Sequence, residues 1–346
     1  MIVPQSMQNA TSHIAVEEEQ EISARRIFKT IAAELALVEE EFERQAASDV
    51  GVIARIGDYL RATGGKRVRP ALLLLSVAAA GGDAARYNSI RMAAVMEFLH
   101  AATLVHDDII DNAEMRRGAP SINSRFGNNA AVLVGDWLYM SAFETSLQER
   151  SLEILEILTA VTRKMVEGEL IQLTLLGRAD ISEEQYFDVL RRKTAYLFSA
   201  CCEIGAILAG ADAGSQRALR EYGLNIGTAF QLVDDLLDFT ATDEMLGKPA
   251  GVDLLEGKVT LPLIYLLRRE PAFAAAVQEV MRDGSYENFS RAALMSAAEE
   301  TQALEEARSR ASGLAEEARI ALHALPASEF RDALDALPAY ITMRES

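Results

Sequence analysis

The chain has 346 residues and a formal net charge of −18 at pH 7, from 34 Lys and Arg against 52 Asp and Glu. A balance this acidic excludes nucleic acid as a partner and argues against a polybasic anchor on an anionic membrane. Ala, Leu, Glu and Arg dominate long stretches, whereas runs of β-branched and aromatic residues are scarce. The composition therefore predicts an all-α protein.

The apolar runs and the two cysteines predict the compartment and the domain organisation. The longest apolar run near the start, residues 71–80, is about half the length needed to span a bilayer. The adjacent Cys201 and Cys202 make a poor disulfide and predict a reduced interior. With no apolar signal core near the first residue, we expect a cytoplasmic protein that does not cross a membrane. Residues 1–20 are expected to form a mobile leader and residues 21–346 a single domain.

Helical periodicity accounts for most of the chain. Apolar side chains recur at helical spacing over residues 21–45 and predict an amphipathic helix. A second helix is predicted over residues 50–63, ending at two glycines. Residues 112–127 form a loop or broken helix, and the chain is mostly helical and acidic after residue 262. Further helices are predicted over residues 70–81, 88–110, 129–149, 151–176, 182–210 and 216–240.

The turn GGKRVRP, residues 64–70, concentrates Lys66, Arg67 and Arg69 after two glycines and before a helix. Basic groups at a glycine turn beside a helix N-terminus form a natural phosphate site. A solvated basic loop would account for the same residues about equally well in isolation. In a chain this acidic, the concentration of positive charge favours the phosphate site.

Two acidic motifs share the spacing D-D-x-x-D. In the first, Asp107 and Asp111 lie one helical turn apart on one face, with Asp108 beside them. The second contains Asp234, Asp235 and Asp238. A single such cluster would be interpreted as a solvated acidic face, but both are embedded in apolar residues. Because buried acids must be paired or metal-bound, the motifs predict two facing walls that hold Mg²⁺. Since Mg²⁺ binds through one or two carboxylates plus substrate phosphates, the expected ligand is a diphosphate.

Other polar residues occur in register with these motifs. His100 lies two helical turns before Asp107, although a lone histidine on an apolar helix is more often a core residue. Lys193 lies in an apolar stretch, which favours a buried role. Arginine side chains suit diphosphate oxygens, and lysines after the second motif suit its negative charge. The further candidates are Arg116, Arg117, Thr194, Gln231, Lys248 and Lys258.

These motifs, in this order, resemble those of trans-polyprenyl diphosphate synthases, in particular medium- and long-chain members such as octaprenyl diphosphate synthase. The resemblance runs from about residue 25 to the C-terminus. It rests on GGKRVRP, HDDIIDNAEMRRG, FGNNAAVLVGDWLY, EGELIQL, RRKTAYLF, FQLVDDLLDF and GKPAGVDLLEGKVTLPLI. It implies the isoprenoid synthase fold, a bundle of long antiparallel helices around a central cavity, and a homodimer.

The resemblance also implies roles for the candidate residues. Three Mg²⁺ ions would be bound with the substrate by Asp107, Asp108, Asp111, Asp234, Asp235 and Asp238. The allylic diphosphate would be assisted by Arg116, Lys193, Thr194, Lys248 and Lys258. Isopentenyl diphosphate would be bound by Lys66, Arg69, His100 and Arg117, with Gln231 at the reacting centre.

Product length depends on the cavity beneath the first acidic motif. An aromatic residue near Ala102 and Thr103 closes the cavity in family members that stop early, whereas both residues are small here. Leu99 lies about 12 Å below Asp107 along the helix. Small residues could also serve only to pack helices closely. We expect a hexaprenyl to decaprenyl product, typical of quinone side chains, delivered through transient membrane contact. The cavity floor is left open among Trp137, Met140 and Phe143.

Three alternatives remain. A short-chain farnesyl or geranylgeranyl diphosphate synthase differs only in product length. A terpene cyclase would have a different second metal motif and would not explain the GGKRVRP turn. A non-catalytic partner subunit of a synthase would be expected to lose an acidic motif, and this chain keeps both.

Overall fold

The all-α prediction is confirmed by the structure, a computed structural model that describes residues 27–62, 65–242 and 250–342. In that part of the chain the sole sheet is a two-stranded antiparallel hairpin, β1 (Met115–Arg116) and β2 (Ala119–Pro120). The described residues contain no helix that is both long and apolar enough to cross a bilayer. The predicted leader and Lys248 lie outside the described residues.

The helices follow one another with short connections. Those of the first half are α1 (Ala32–Ala46), α2 (Gly51–Ala62), α3 (Val68–Ala79), α4 (Tyr87–Ile110), α5 (Ile122–Phe126), α6 (Asn128–Ser146) and α7 (Leu152–Leu175). Next come α8 (Glu183–Leu190), a π-helical turn (Arg191–Ala195), α9 (Tyr196–Leu208), α10 (Ala213–Thr240) and α11 (Val252–Leu255). The chain ends with α12 (Leu261–Arg269), α13 (Ala274–Asp283), α14 (Arg291–Glu300), α15 (Ala303–Ala321) and α16 (Glu329–Thr342). Short 3₁₀ segments occur at Leu147–Glu149, Pro271–Phe273 and Leu322–Ala324.

Two predicted segments differ from the structure. The helix predicted over residues 182–210 is interrupted by the π turn, because one inserted residue within a buried apolar run leaves little trace in the hydrophobic period. The loop predicted over residues 112–127 contains the β1–β2 hairpin and α5. Helix α5 begins where the Ser121 hydroxyl accepts a hydrogen bond from the backbone N–H of Ser124.

The long helices α4 and α10 pass through the core and carry the two acidic motifs. Helix α4 packs against α1, α3 and α6, and α10 packs against α9, α15 and α16. Nearly every residue of α3 is buried, as expected for a helix that is apolar on all sides. The acidic motifs are thus held on helices whose positions are fixed by packing along most of their length.

Close contact between α9 and α10 depends on Gly223. A Cβ atom added at Gly223 would lie 2.6 Å from the carbonyl oxygen of Phe198 and 2.7 Å from Cα of Ser199, both of them backbone atoms. In contrast, a Cβ added at Gly313, exposed in the middle of α15, would meet nothing within 4 Å. The two glycines therefore form a matched pair in which only one is required by packing.

We expect Gly223→Ala to lower the free energy of unfolding by about 1–3 kcal/mol. The new methyl group would overlap backbone atoms of α9, which cannot move aside as a flexible side chain could. Gly313→Ala should raise it by about 0.5–1 kcal/mol through the better helix propensity of alanine. Urea denaturation followed by circular dichroism measures both. Equal effects of the two substitutions would contradict the assignment of Gly223 to the helix contact.

Candidate active site

A cavity of about 1040 Å³ lies between α4, α6, α7, the π turn and α10. It is lined by charged and polar side chains and also by apolar side chains, among them Met165, Val166 and Leu170 of α7. Most of the predicted site residues meet on its wall. These are Lys66, Arg69, His100, Thr103, Asp107, Asp111, Arg116, Arg117, Lys193, Thr194, Gln231, Asp234, Asp235 and Lys258.

The first acidic motif is divided between two environments. His100, Thr103 and Asp107 recur along one face of α4 and line the cavity, as predicted from their spacing, and Asp111 caps the helix. Asp108 is buried on another side, where its Oδ1 accepts a 2.8 Å hydrogen bond from Nε of Arg116. Asp108 thus holds an arginine that itself borders the cavity.

The surroundings of Asp107 disfavour its charged form. Burial raises the pKa of Asp107 to about 7, and Glu169 adds to this shift, while Lys193 opposes it. Among the residues that the structure describes, no three His, Cys, Asp or Glu side chains converge into an all-protein metal site. Carboxylate oxygens on two walls, without nitrogen or sulfur ligands, fit Mg²⁺ that completes its shell with water and substrate phosphate.

The second acidic motif is supported by a chain of hydrogen bonds. The Tyr186 hydroxyl donates to Oδ2 of Asp235 at 2.7 Å, and the Gln231 side-chain amide donates to Oδ1 at 2.9 Å. The Thr194 hydroxyl donates to the Gln231 oxygen at 2.9 Å. Although burial raises the pKa of Asp235, these donors favour its charged form. Asp235 therefore positions its neighbours, and Asp234 is the member of this motif best placed to face a ligand.

Asp238 faces away from the cavity and anchors the segment formed by residues 250–258. Its carboxylate accepts hydrogen bonds from the backbone N–H groups of Val252 and Asp253, at 3.4 and 3.1 Å. This segment brings Asp253 to the cavity wall, where burial, Asp235 and Asp238 raise its pKa. Sequence reasoning missed Asp253, although an acid inside the apolar stretch GVDLL was an available signal.

The π turn separates neighbouring basic side chains. Nζ of Lys193 lies 2.9 Å from Oε1 of Glu169 and 3.0 Å from Oε1 of Gln172, inside the cavity. Arg192 instead pairs with Asp188 and with Glu167, outside the polar centre. The role of Glu169 was also missed, because its contact with Lys193 joins two helices that the sequence does not pair. π turns inside helices are frequent at functional sites for this reason.

Lys258 reaches the opposite wall of the site. Its Nζ lies 2.7 Å from Oε2 of Glu256 and 4.0 Å from Oδ1 of Asp111. The residue thus joins the segment formed by residues 250–258 to the first acidic motif across the cavity. Its role with the allylic diphosphate stays a prediction.

The two arginines of the basic turn, Arg67 and Arg69, have different surroundings. Arg67 adopts a left-handed backbone conformation and is held by Glu97 at 2.6 Å and by Oε2 of Glu39 at 2.9 Å. In contrast, the buried Nε of Arg69 has no hydrogen-bond partner in the described part of the chain. Arg69 lies with its guanidinium 5.0 Å from the Phe198 ring centre. An orphaned buried donor on the cavity wall fits an anionic ligand.

A second loop completes this basic region. A Cβ atom at Gly65 would lie only 2.7 Å from Nη1 of Arg117, so the glycine allows that guanidinium to approach the turn. Burial, together with Arg69 and Arg117, holds the pKa of His100 well below its usual range. His100 thus lies beside two arginines on the cavity wall, where its ring nitrogens can hydrogen-bond to a ligand.

The residues expected to set chain length separate into two groups. Thr103 lines the cavity, whereas Leu99 and Ala102 are fully buried and do not line it. Trp137, Met140 and Phe143 do not line it either. The aromatic residue that α6 contributes to the wall is Tyr139, whose position sequence reasoning missed because helix α6 has a weak apolar period.

The two partners of Arg67 give a matched test of this geometry. Glu97 is 6% exposed and Glu39 is 39% exposed. We expect Glu97→Gln to lower the free energy of unfolding by about 2–4 kcal/mol, because it leaves a half-buried guanidinium incompletely paired. Glu39→Gln should cost less than about 1 kcal/mol because water replaces the lost charge. Urea denaturation measures both, and the reverse order would contradict the assignment of Glu97 as the buried anchor.

Comparison with known proteins agrees with this geometry. The family model for polyprenyl synthetase matches residues 50–297. The octaprenyl diphosphate synthase of Escherichia coli K12 is 38% identical over 94% of this chain and 100% of that protein. A decaprenyl diphosphate synthase from Rhodobacter capsulatus has a TM-score of 0.87 and 34% identity, covering 93% of this chain and 99% of that one.

A polyprenyl synthase from Caulobacter crescentus CB15, solved with calcium and isoprenyl diphosphate, has a TM-score of 0.86 and 36% identity. The match covers 93% of this chain and 98% of that one. Similarity therefore extends over almost the whole length of each relative, at the level of both sequence and fold. The chain belongs to the polyprenyl synthetase family and is a prenyltransferase with the isoprenoid synthase fold.

Proposed function

We propose that this prenyltransferase condenses isopentenyl diphosphate with allylic diphosphates to give an all-trans polyprenyl diphosphate of about six to ten isoprene units. The observation that carries the proposal is one cavity with three separate regions. Aspartates of both acidic motifs, basic side chains that include Lys66 and Arg69, and apolar side chains of α7 all line it. Two diphosphates and a growing hydrocarbon tail require these three environments.

The allylic diphosphate is assigned to the space between the acidic walls. Asp107 and Asp111 on one side and Asp234 on the other would hold Mg²⁺, with three ions in the loaded site. Asp108, Asp235 and Asp238 support these ligands from behind. Arg116, Lys193, Thr194, Lys248 and Lys258 complete the charge around this diphosphate. Isopentenyl diphosphate is assigned to Lys66, Arg69, His100 and Arg117, with Gln231 near the reacting carbons.

The arrangement suits an ionisation–condensation reaction. Breaking the allylic C–O bond leaves negative charge on diphosphate and positive charge on carbon. When bound, Mg²⁺ stabilises the first charge, and Lys193 adds a cation held in place by Glu169 and Gln172. The apolar lower walls keep water from the second. The double bond of isopentenyl diphosphate then attacks the cation, and loss of a proton completes the addition of five carbons.

Product length is proposed from the wall below the first acidic motif. Thr103 is small and leaves the cavity open at the point where a bulky residue would close it. Ala102 and Leu99 lie behind it and affect length only through packing. The rival is a short-chain farnesyl or geranylgeranyl diphosphate synthase. The same site would support that activity if a bulky side chain, for example that of Tyr139, closed the cavity nearer to the acidic motifs. A partner subunit without activity is disfavoured because both acidic motifs are intact.

We also propose a homodimer in the cytoplasm. Large apolar side chains of α6 and α7 are exposed, including Leu133 at 68% and Leu152 at 77%. Contiguous exposed apolar residues on neighbouring helices are typical of interaction surfaces. A second copy of the chain would cover them. A product of this length, suited to a quinone side chain, would leave the enzyme through transient contact with a membrane.

The reaction is tested by incubating the protein with Mg²⁺, farnesyl diphosphate and labelled isopentenyl diphosphate, followed by chromatography of the dephosphorylated products. We expect a discrete product of six or more isoprene units in the wild type. Asp107→Ala or Asp234→Ala should lower turnover by at least about 10³-fold, because each removes a carboxylate that faces the reacting diphosphate. Asp335→Ala, which removes an exposed partner of Arg319 on α16, is the control. Near-normal turnover in either motif variant would refute the metal assignment.

The length proposal is tested at Thr103. Thr103→Phe places an aromatic ring on the cavity wall about one helical turn below Asp107, and we expect the product to shorten by two or more isoprene units. Thr103→Ser keeps the small volume and should leave product length unchanged. A full-length product from the phenylalanine variant would place the floor elsewhere, whereas a wild-type product of four units would favour the short-chain rival.

A further inference from the structure

Outside the cavity, the start of α14 contacts the end of the helix that carries the second acidic motif. Arg291 donates hydrogen bonds to the Phe239 carbonyl at 2.9 Å, to the Asp238 carbonyl at 3.2 Å, and to the Ala241 carbonyl. All three carbonyls belong to the C-terminal end of α10, where helical carbonyl groups lack partners within the helix. One guanidinium thus satisfies the end of α10.

The position of Arg291 in its own helix makes this contact unusual. Arg291 is the first residue of α14, and a positive charge at a helix N-terminus is disfavoured by the helix dipole. At the C-terminus of α10 the same charge is favoured, because the dipole there has the opposite sign. The charge of Arg291 therefore stabilises the C-terminus of α10 and not its own helix, α14.

Tyr286 contacts the other side of the same junction. Its hydroxyl donates a 2.8 Å hydrogen bond to the carbonyl oxygen of Gly251. Burial raises the pKa of the Tyr286 phenol to about 12, so the hydroxyl keeps its proton and acts as a donor. Gly251 has a φ of +72°, and an added Cβ would lie 2.6 Å from Cδ of Arg291 and 2.9 Å from the Tyr286 hydroxyl. The glycine is packed between the two side chains.

Gly251 leads directly to residues that face the site. Its N–H donates to the Asp238 carbonyl at 2.8 Å, and the next two N–H groups donate to the Asp238 carboxylate. Asp253 then lines the cavity, and Lys258 follows within 4.0 Å of Asp111. The segment formed by residues 250–258 is thus fixed to α10 on one side and to Tyr286 and Arg291 on the other.

We propose that Arg291 and Tyr286 are positioning residues for catalysis, which from outside the cavity hold Asp253 on the cavity wall and Lys258 within reach of Asp111. Neither side chain lines the cavity, so neither touches substrate. Arg291 holds the carbonyl end of α10, and Tyr286 holds Gly251. The proposal rests on the proposed function only in the role given to Lys258.

Hydrogen exchange tests whether Arg291 and Tyr286 hold the segment formed by residues 250–258, and it does not depend on enzyme activity. In Arg291→Gln and Tyr286→Phe, the amides of residues 251–253 should exchange at least about tenfold faster than in the wild type. The substitutions remove hydrogen bonds that hold this part of the chain, so that its local unfolding becomes more frequent. Arg282→Gln makes the same chemical change at an exposed arginine that pairs with its neighbour Asp283, and it should leave this exchange unchanged. Unchanged exchange at residues 251–253 in both variants would overturn the proposal.

Steady-state kinetics test the catalytic half in the same proteins, below the temperature at which any of them unfolds. We expect kcat to fall about 10- to 100-fold in Arg291→Gln, with the KM for isopentenyl diphosphate within about twofold of the wild type, because the basic region around Arg69 is untouched. Arg291→Lys should recover part of the loss, since one ammonium can reach fewer carbonyls. A variant with faster exchange but wild-type kcat would show a purely structural role and refute the proposal. Inactivity of the wild type and of Arg282→Gln would instead refute the proposed function.

Discussion

Negative charge buried in an apolar helical bundle is the constraint on which the rest of this structure depends. The protein compensates half of its motif aspartates internally, with Arg116 for Asp108, two side-chain donors for Asp235 and two backbone amides for Asp238. Asp107 is left at the cavity wall with a raised pKa, next to Glu169. The internal compensation stabilises the folded helices, and the remaining carboxylates at the cavity wall are those to which the proposed function assigns Mg²⁺.

Residues that act within one helix could be predicted from the sequence. The register of His100, Thr103 and Asp107 follows from helical spacing alone, and the structure places all three on the cavity wall. Glu169 and Asp253 could not be predicted in the same way, because their meaning depends on which helices meet. A glutamate beside Lys193 has the same local pattern as one on a solvated face.

The turn GGKRVRP shows that the roles of neighbouring residues also depend on tertiary contacts that the sequence does not reveal. Arg67 and Arg69 are two positions apart and chemically identical. The first is paired with carboxylates, whereas the second borders the cavity and its buried Nε has no hydrogen-bond partner among the described residues. The difference arises from Glu97 on α4 and from the left-handed backbone of Arg67. Composition predicts a phosphate site here, but only tertiary contacts decide which cation serves it.

The approach of Arg117 to Gly65 links substrate to folding. The two residues come from segments far apart in the sequence, and neither segment alone contains the basic region that they form together. Under the proposed function, diphosphate would bind the basic region only in a chain in which these segments have docked, so its binding free energy would be added to the native state. By mass action, bound diphosphate would then lower the population of the partly unfolded forms that proteases cleave. The concentration of isoprenoid precursor would thereby influence the lifetime of the folded enzyme as well as its rate of turnover.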